Sequence, residues 1–150
     1  VAKYFEDYAV GEVERFGDYA VTRDEVIAFA AAYDPQPFHL DDAAAAANPI
    51  FGRLSASGWH TAAMVMRMLV DEGQKTGHFS LGSPGIDEMR WVKPVYPGDT
   101  LRVETEVLAK SEPKSRPDIG FLKVKVTVFN QHDDVVMRQV ANNIQPRRPA

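Results

Sequence analysis

A chain of 150 residues can bury roughly two thirds of its unfolded surface in one core, and its 45% apolar and 25% charged residues are ordinary for a globular protein. It has no cysteine, which excludes disulfides, thiolate nucleophiles and cysteine-ligated metals. A net charge of −4 without a basic stripe argues against nucleic acid as a partner, and the longest apolar runs, Val26 to Tyr33 and Thr61 to Met66, are too short to span a bilayer.

Val13 to Val21 alternates loosely and predicts a first strand. Thr22 and Glu25 form a capping-box pair that starts a helix from Asp24 to about Tyr33, with Ile27 and Phe29 to Ala32 directed at a core. The next segment, Asp34-Pro35-Gln36-Pro37-Phe38-His39, is a stiffened, non-helical loop, because each proline fixes its own φ and biases the residue before it towards extended geometry. Asp41 and Asp42 precede the alanine run Ala43 to Ala47, a short surface helix with acids at its favourable end. Ser57 is a natural N-cap for a helix from Trp59 to about Asp71, with Gly73 as its expected stop. That helix is apolar on most of its circumference and should be buried on several sides. Strands are expected at Phe79 to Leu81, Gly85 to Val95, Leu101 to Val107, Phe121 to Phe129 and Val135 to Ile144. Turns fall at Tyr96-Pro97-Gly98-Asp99 and His132-Asp133-Asp134, with a polar loop from Lys110 to Asp118. No internal repeat or low-complexity linker divides residues 1–150, so a single domain is expected. The pattern predicts an α+β architecture, an antiparallel β-sheet wrapped around one long central α-helix. One exposed edge or face should be covered by a second subunit, making the chain a homo-oligomer, at least a dimer.

Asp34 and His39 place a carboxylate and an imidazole on a rigid loop, a combination suited to proton transfer, although Asp-Pro is also a common turn opener. His39, His60, His78 and His132 lack metal-ligand spacing, so no metal site is expected; glycines flank Ser55 and Ser57 at the wrong spacing for a serine nucleophile, and no phosphate-cradling loop is present. Ser57-Gly58-Trp59 opens the buried helix with unpaired amides backed by the helix dipole. Such amides can stabilise the negative oxygen of an enolate formed when the α-carbon of a thioester gains or loses a proton. Gly58 permits close approach there, and tight helix packing would explain the same glycine.

In order, Asp34-Pro-Gln-Pro-Phe-His39, Leu40-Asp41, the alanine-rich helix, Phe51-Gly52, Ala56-Ser57-Gly58-Trp59-His60 and Pro94-Val95-Tyr96-Pro97-Gly98-Asp99 resemble the MaoC-like dehydratase family, which includes the (R)-specific enoyl-CoA hydratases. The resemblance covers nearly the whole chain and implies the hot dog fold. It implies Asp34 and His39 as the catalytic acid–base pair that binds water, and Gly58 as the catalytic amide that receives the thioester oxygen. The family usually shows Asp-x-Asn-Pro-x-His and a His-Gly pair; this chain has Gln36 for the asparagine and Ser57 before Gly58.

The expected function is therefore a hydro-lyase that hydrates trans-2-enoyl-CoA to (R)-3-hydroxyacyl-CoA, or the reverse. Gln36, Phe38, Ser57 and Trp59 are the expected substrate-binding residues, with the acyl tail beside Trp59, Met64 or Phe38 and CoA phosphates near Arg53 or Lys93. Coenzyme A enters only as part of the acyl-CoA substrate, and no other cofactor is expected. The alternatives are an acyl-CoA thioesterase and a non-catalytic acyl-CoA binding protein of the same fold. With no leader pattern and no membrane partner expected, the location expected is cytoplasmic.

Overall fold

The computed structural model describes residues 1–150. Strand β1 (Val13–Ala20) leads into helix α1 (Arg23–Tyr33), whose N-cap Thr22 accepts the Glu25 amide at 3.3 Å. Only this half of the expected capping box forms. The Glu25 carboxylate turns away to accept the Tyr19 hydroxyl and lies 3.5 Å from His60 Nε2. α1 buries Val26 and Ala30, whereas Ala31 and Ala32, expected in the core, are exposed.

The loop after α1 is not wholly extended. Gln36 is extended, but Pro37 opens a single 3-10 turn, Pro37–His39, because proline suits the first position of a helix and has no amide to leave unpaired. Helix α2 (Asp42–Ala47) follows, with the Asp41 carboxylate accepting the Ala44 amide at 2.9 Å.

Helix α3 (Gly58–Thr76) is 19 residues long, about 28 Å at 1.5 Å per residue. It continues through Gly73, correcting the expected stop. Gly73 is there for close packing, since a Cβ would sit 3.1 Å from the His78 carbonyl oxygen. The helix ends at Gly77, whose φ of +81° suits glycine.

Strands β2 (Gly82–Trp91), β3 (Thr100–Ser111), β4 (Ile119–Phe129) and β5 (Val135–Pro146) complete an antiparallel sheet in the order β1-β3-β4-β5-β2. β2 ends four residues before the expected Val95. The Val92 and Lys93 amides both turn to the Val136 carbonyl, and Pro94 has no amide to extend the ladder. Leu101, Val103, Val126, Val128, Val136 and Met137 pack against Met64, Val65 and Met68 of α3. Their outward neighbours form cross-strand ion pairs, Arg15–Glu104 at 2.9 Å and Lys125–Glu106 at 3.5 Å, so period-2 alternation sorts the two faces.

α3 is covered on one side only. Trp59, Met66 and Val70 are exposed along it, and Leu81, Ile86 and Trp91 are exposed on or beside the edge strand β2. No helix is long and apolar enough to cross a membrane.

Candidate active site

The stiff loop and the start of α3 meet at a cavity of about 370 Å³. His39 is brought inside by the 3-10 turn and is 4% exposed. Its Nδ1–H donates to the Ser55 carbonyl at 2.8 Å, which leaves Nε2 facing Asp34 Oδ2 at 3.5 Å. Phe38 and Phe51 brace the imidazole, with ring centroids 4.4 and 5.6 Å away. In this tautomer Nε2 is an acceptor, as a general base requires.

Asp34 caps the end of α1, its amide bonding to the Ala30 carbonyl. Burial alone would push its carboxyl up, but hydrogen bonds from Gln36 and Ser57 hold it below the usual range. The Gln36 side-chain amide donates to Asp34 Oδ1 at 2.7 Å, leaving Oδ2 turned towards the imidazole. The carboxylate is thus oriented by its own loop.

Opposite the pair, Gly58 is the first residue of α3 and its amide meets no protein acceptor. Ser57 is fully buried, and its hydroxyl accepts the Trp59 amide at 3.3 Å. Trp91 lies against Gly58. Its indole N–H donates to the Gly58 carbonyl at 2.7 Å, and a Cβ at position 58 would fall 2.7–2.9 Å from the indole ring. Close packing and an open amide therefore coexist at this glycine. Chemically, the cavity offers two adjoining proton acceptors on one wall and an unpaired amide at a helix N-terminus on another.

Of the seven site residues expected from sequence, Asp34, His39, Ser57, Gly58 and Trp59 line this cavity. Gln36 and Phe38 do not; they stand behind it, Gln36 orienting Asp34 and Phe38 stacked on Phe51 and edge-on to His39. Met64, named for the acyl tail, is buried in the core instead. Lys93 lines the cavity while paired with Asp134 at 3.3 Å, and Arg53 stacks 3.8 Å over the Tyr96 ring. Sequence reasoning missed Trp91, Phe51 and Thr61 as lining residues. Trp91 gave no local signal, since its partner lies 33 residues away.

Comparison with known proteins bears on the family and the fold. The family described as "MaoC like domain" matches residues 7–130. The sequence is 32% identical over 128 residues to the uncharacterized protein YdeM of Bacillus subtilis, covering 85% of this chain and 88% of that one. A crystal structure of a MaoC-like dehydratase from Rhodospirillum rubrum superposes with a TM-score of 0.91 at 42% identity, over 99% of this chain and 100% of the other. The R-hydratase PhaJ1 of Pseudomonas aeruginosa superposes with a TM-score of 0.72 at 26% identity, over 97% and 86%. The architecture, five antiparallel strands with a central helix, is the hot dog fold.

Proposed function

Because this chain belongs to the family of MaoC-like domains, we propose that it is a hydratase of trans-2-enoyl-CoA thioesters, forming (R)-3-hydroxyacyl-CoA or running the reverse dehydration. The observation that carries this reading is the approach of His39 Nε2 to Asp34 Oδ2 at 3.5 Å, in a cavity whose other wall presents the free Gly58 amide. A water placed between two acceptors hydrogen-bonds to both and aims its oxygen outward; as it reacts, one of its protons passes to the pair and the other stays on the oxygen. That oxygen bonds to C3 of the enoyl group as electrons move through C2 to the thioester oxygen. The Gly58 amide stabilises the charge arriving there, and the Asp34–His39 pair returns a proton to C2. The sum is H and OH added across one double bond. No electrons are exchanged with a cofactor.

Gln36, Ser57 and Phe38 act as positioning residues in this proposal. Gln36 and Ser57 keep the Asp34 carboxyl ionised, and Phe38 backs the imidazole. Trp59, 62% exposed at the mouth and edge-on to Trp91, forms an apolar lip for the substrate. The exposed edge of β2 and the bare side of α3 support assembly as a homodimer.

The test is loss of enoyl-thioester absorbance with crotonyl-CoA and longer homologues, while free thiol is followed in the same sample. The proposal predicts absorbance loss without thiol release. Thiol release from saturated acyl-CoA with no hydration would make the protein a thioesterase.

A further inference from the structure

The start of α3 poses a problem of rigidity. Gly58 is its first residue, at a position where helices fray, and glycine has more backbone freedom to lose than any other residue. An amide that stabilises a developing charge must nevertheless be aimed before the reaction begins, because a hydrogen bond weakens steeply as its angle closes. Something outside the helix has to hold it.

Two successive peptide planes decide the aim. The first joins Ser57 to Gly58 and is trans, so its carbonyl and its N–H point in opposite directions. The Ser57 carbonyl accepts the Thr61 amide at 3.0 Å and therefore points along the helix, which sends the Gly58 N–H back out of it. The second plane joins Gly58 to Trp59. Its N–H end is tied to the Ser57 hydroxyl at 3.3 Å, a long and weak bond. Its carbonyl end takes the Trp91 indole N–H at 2.7 Å, which makes this the stronger of the two ties. The indole ring also fills the space that a Cβ would need, 2.7–2.9 Å from it, and so blocks rotation about the Gly58 Cα on that side. The ring is itself anchored from the sheet. Trp91 ends β2 in register with Met137 of β5, and the two amides after it turn to the Val136 carbonyl at 2.8 and 3.3 Å. Trp59 meets the indole edge-on, with centroids 5.2 Å apart. The direction of the Gly58 amide is thus set from β2 and not by α3 alone.

We propose that Trp91 is a positioning residue for the Gly58 amide: by holding the Gly58 carbonyl, its indole N–H fixes the direction of the donor that receives the thioester oxygen. This rests on the hydratase reading above and adds a residue to that site. Charge on the thioester oxygen grows as the reaction proceeds, so the hold supports the transition state more than the bound substrate. Its loss should appear in kcat and leave KM nearly unchanged.

The experiment replaces Trp91 site-specifically with benzothienylalanine, which keeps the fused rings and carries sulfur where the N–H was, and runs Trp91→Phe beside it. For each protein kcat and KM are measured with crotonyl-CoA, together with the infrared carbonyl stretch of bound butyryl-CoA labelled at its thioester carbon. Both replacements should lower kcat about tenfold, the rate equivalent of one neutral hydrogen bond, with KM within about twofold of the wild type. The stretch should move to higher frequency and broaden, because the carbonyl then meets a poorly aimed donor. The sulfur isostere preserves the packing against Gly58, so it remains informative if Trp91→Phe does not fold. An unshifted stretch in the isostere overturns the proposal. So does an active isostere with the wild-type kcat, whatever its stability, since Trp91 would then serve packing alone. If the wild type hydrates no enoyl-CoA but the stretch still shifts in the isostere, the positioning stands and the hydratase reading fails.

Discussion

The Gln36 side chain donates to Asp34 Oδ1 at 2.7 Å, and this hydrogen bond favours the ionised carboxyl. Gln36→Leu removes it and should raise the Asp34 pKa towards the usual carboxylate value. The acid limb of the kcat/KM profile, where protonation of Asp34 removes one acceptor for water, should then move to higher pH than in the wild type. A pH–rate profile of the two proteins decides this; an unmoved limb would mean that Gln36 does not tune the carboxyl. His60 carries a separate prediction. It is buried on α3, stacked on Phe29 with ring centroids 4.7 Å apart, and its Nδ1 has no partner. Burial pushes its pKa down, outweighing the upward pull of Glu25. With the folded value depressed, the unfolded chain binds the extra proton first. The contribution of His60 to stability is therefore complete above its unfolded value, about 6.5, and is lost as pH falls through the folded value. Urea midpoints at pH 7.5 and 5.5 should differ more for the wild type than for His60→Phe.

For the elements, the start of α3 is where packing and chemistry share a residue. Gly58→Ala should improve helix propensity, but its Cβ would lie 2.7 Å from the Trp91 ring and force the indole or the helix to shift. We expect hydration to fall at least tenfold even where the fold survives. Because the cost arises from a collision, Trp91→Ala in the Gly58→Ala background should recover stability in a double-mutant cycle; strict additivity in denaturant unfolding would contradict that origin. The same element marks what sequence can and cannot reveal. Asp34, His39, Ser57 and Gly58 were legible because prolines, an N-cap and a glycine announce their backbone settings locally. The alternation in β3, β4 and β5 was legible for a similar reason, since period 2 follows from strand geometry. Trp91 was not legible, because its contact with Gly58 depends on how β2 and α3 meet. Gly73 misled for a related reason. It looks like a stop, but its function is to fit beneath the His78 backbone, and Gly77 ends the helix. Glu25 likewise satisfied a capping pattern while tertiary contacts with Tyr19 and His60 claimed its side chain.

At the scale of the whole molecule, one side of α3 and the edge of β2 expose Trp59, Met66, Val70, Leu81, Ile86 and Trp91. Clustered apolar exposure of this kind, beside an unpaired strand edge, marks an association surface. Sedimentation should give twice the chain mass, and Ile86→Lys on the β2 edge should lower it towards the monomer. A wild type that stays monomeric at high concentration would remove the homodimer from the proposal. Asp34 and His39 belong to one chain and meet without a partner, so the proposed acid–base pair is complete in a single subunit.

The central claim, that Asp34 and His39 act together on a water added to an enoyl thioester, is tested most directly by kcat for enoyl-CoA hydration in the wild type, Asp34→Asn, His39→Ala and the double variant. Each protein's cooperative unfolding should be checked in parallel. Each single variant should lose about 10²–10⁴ in kcat, and the double variant should lose little more, because the two groups serve one proton-transfer step. Well-folded single variants that retain the wild-type rate would contradict the account.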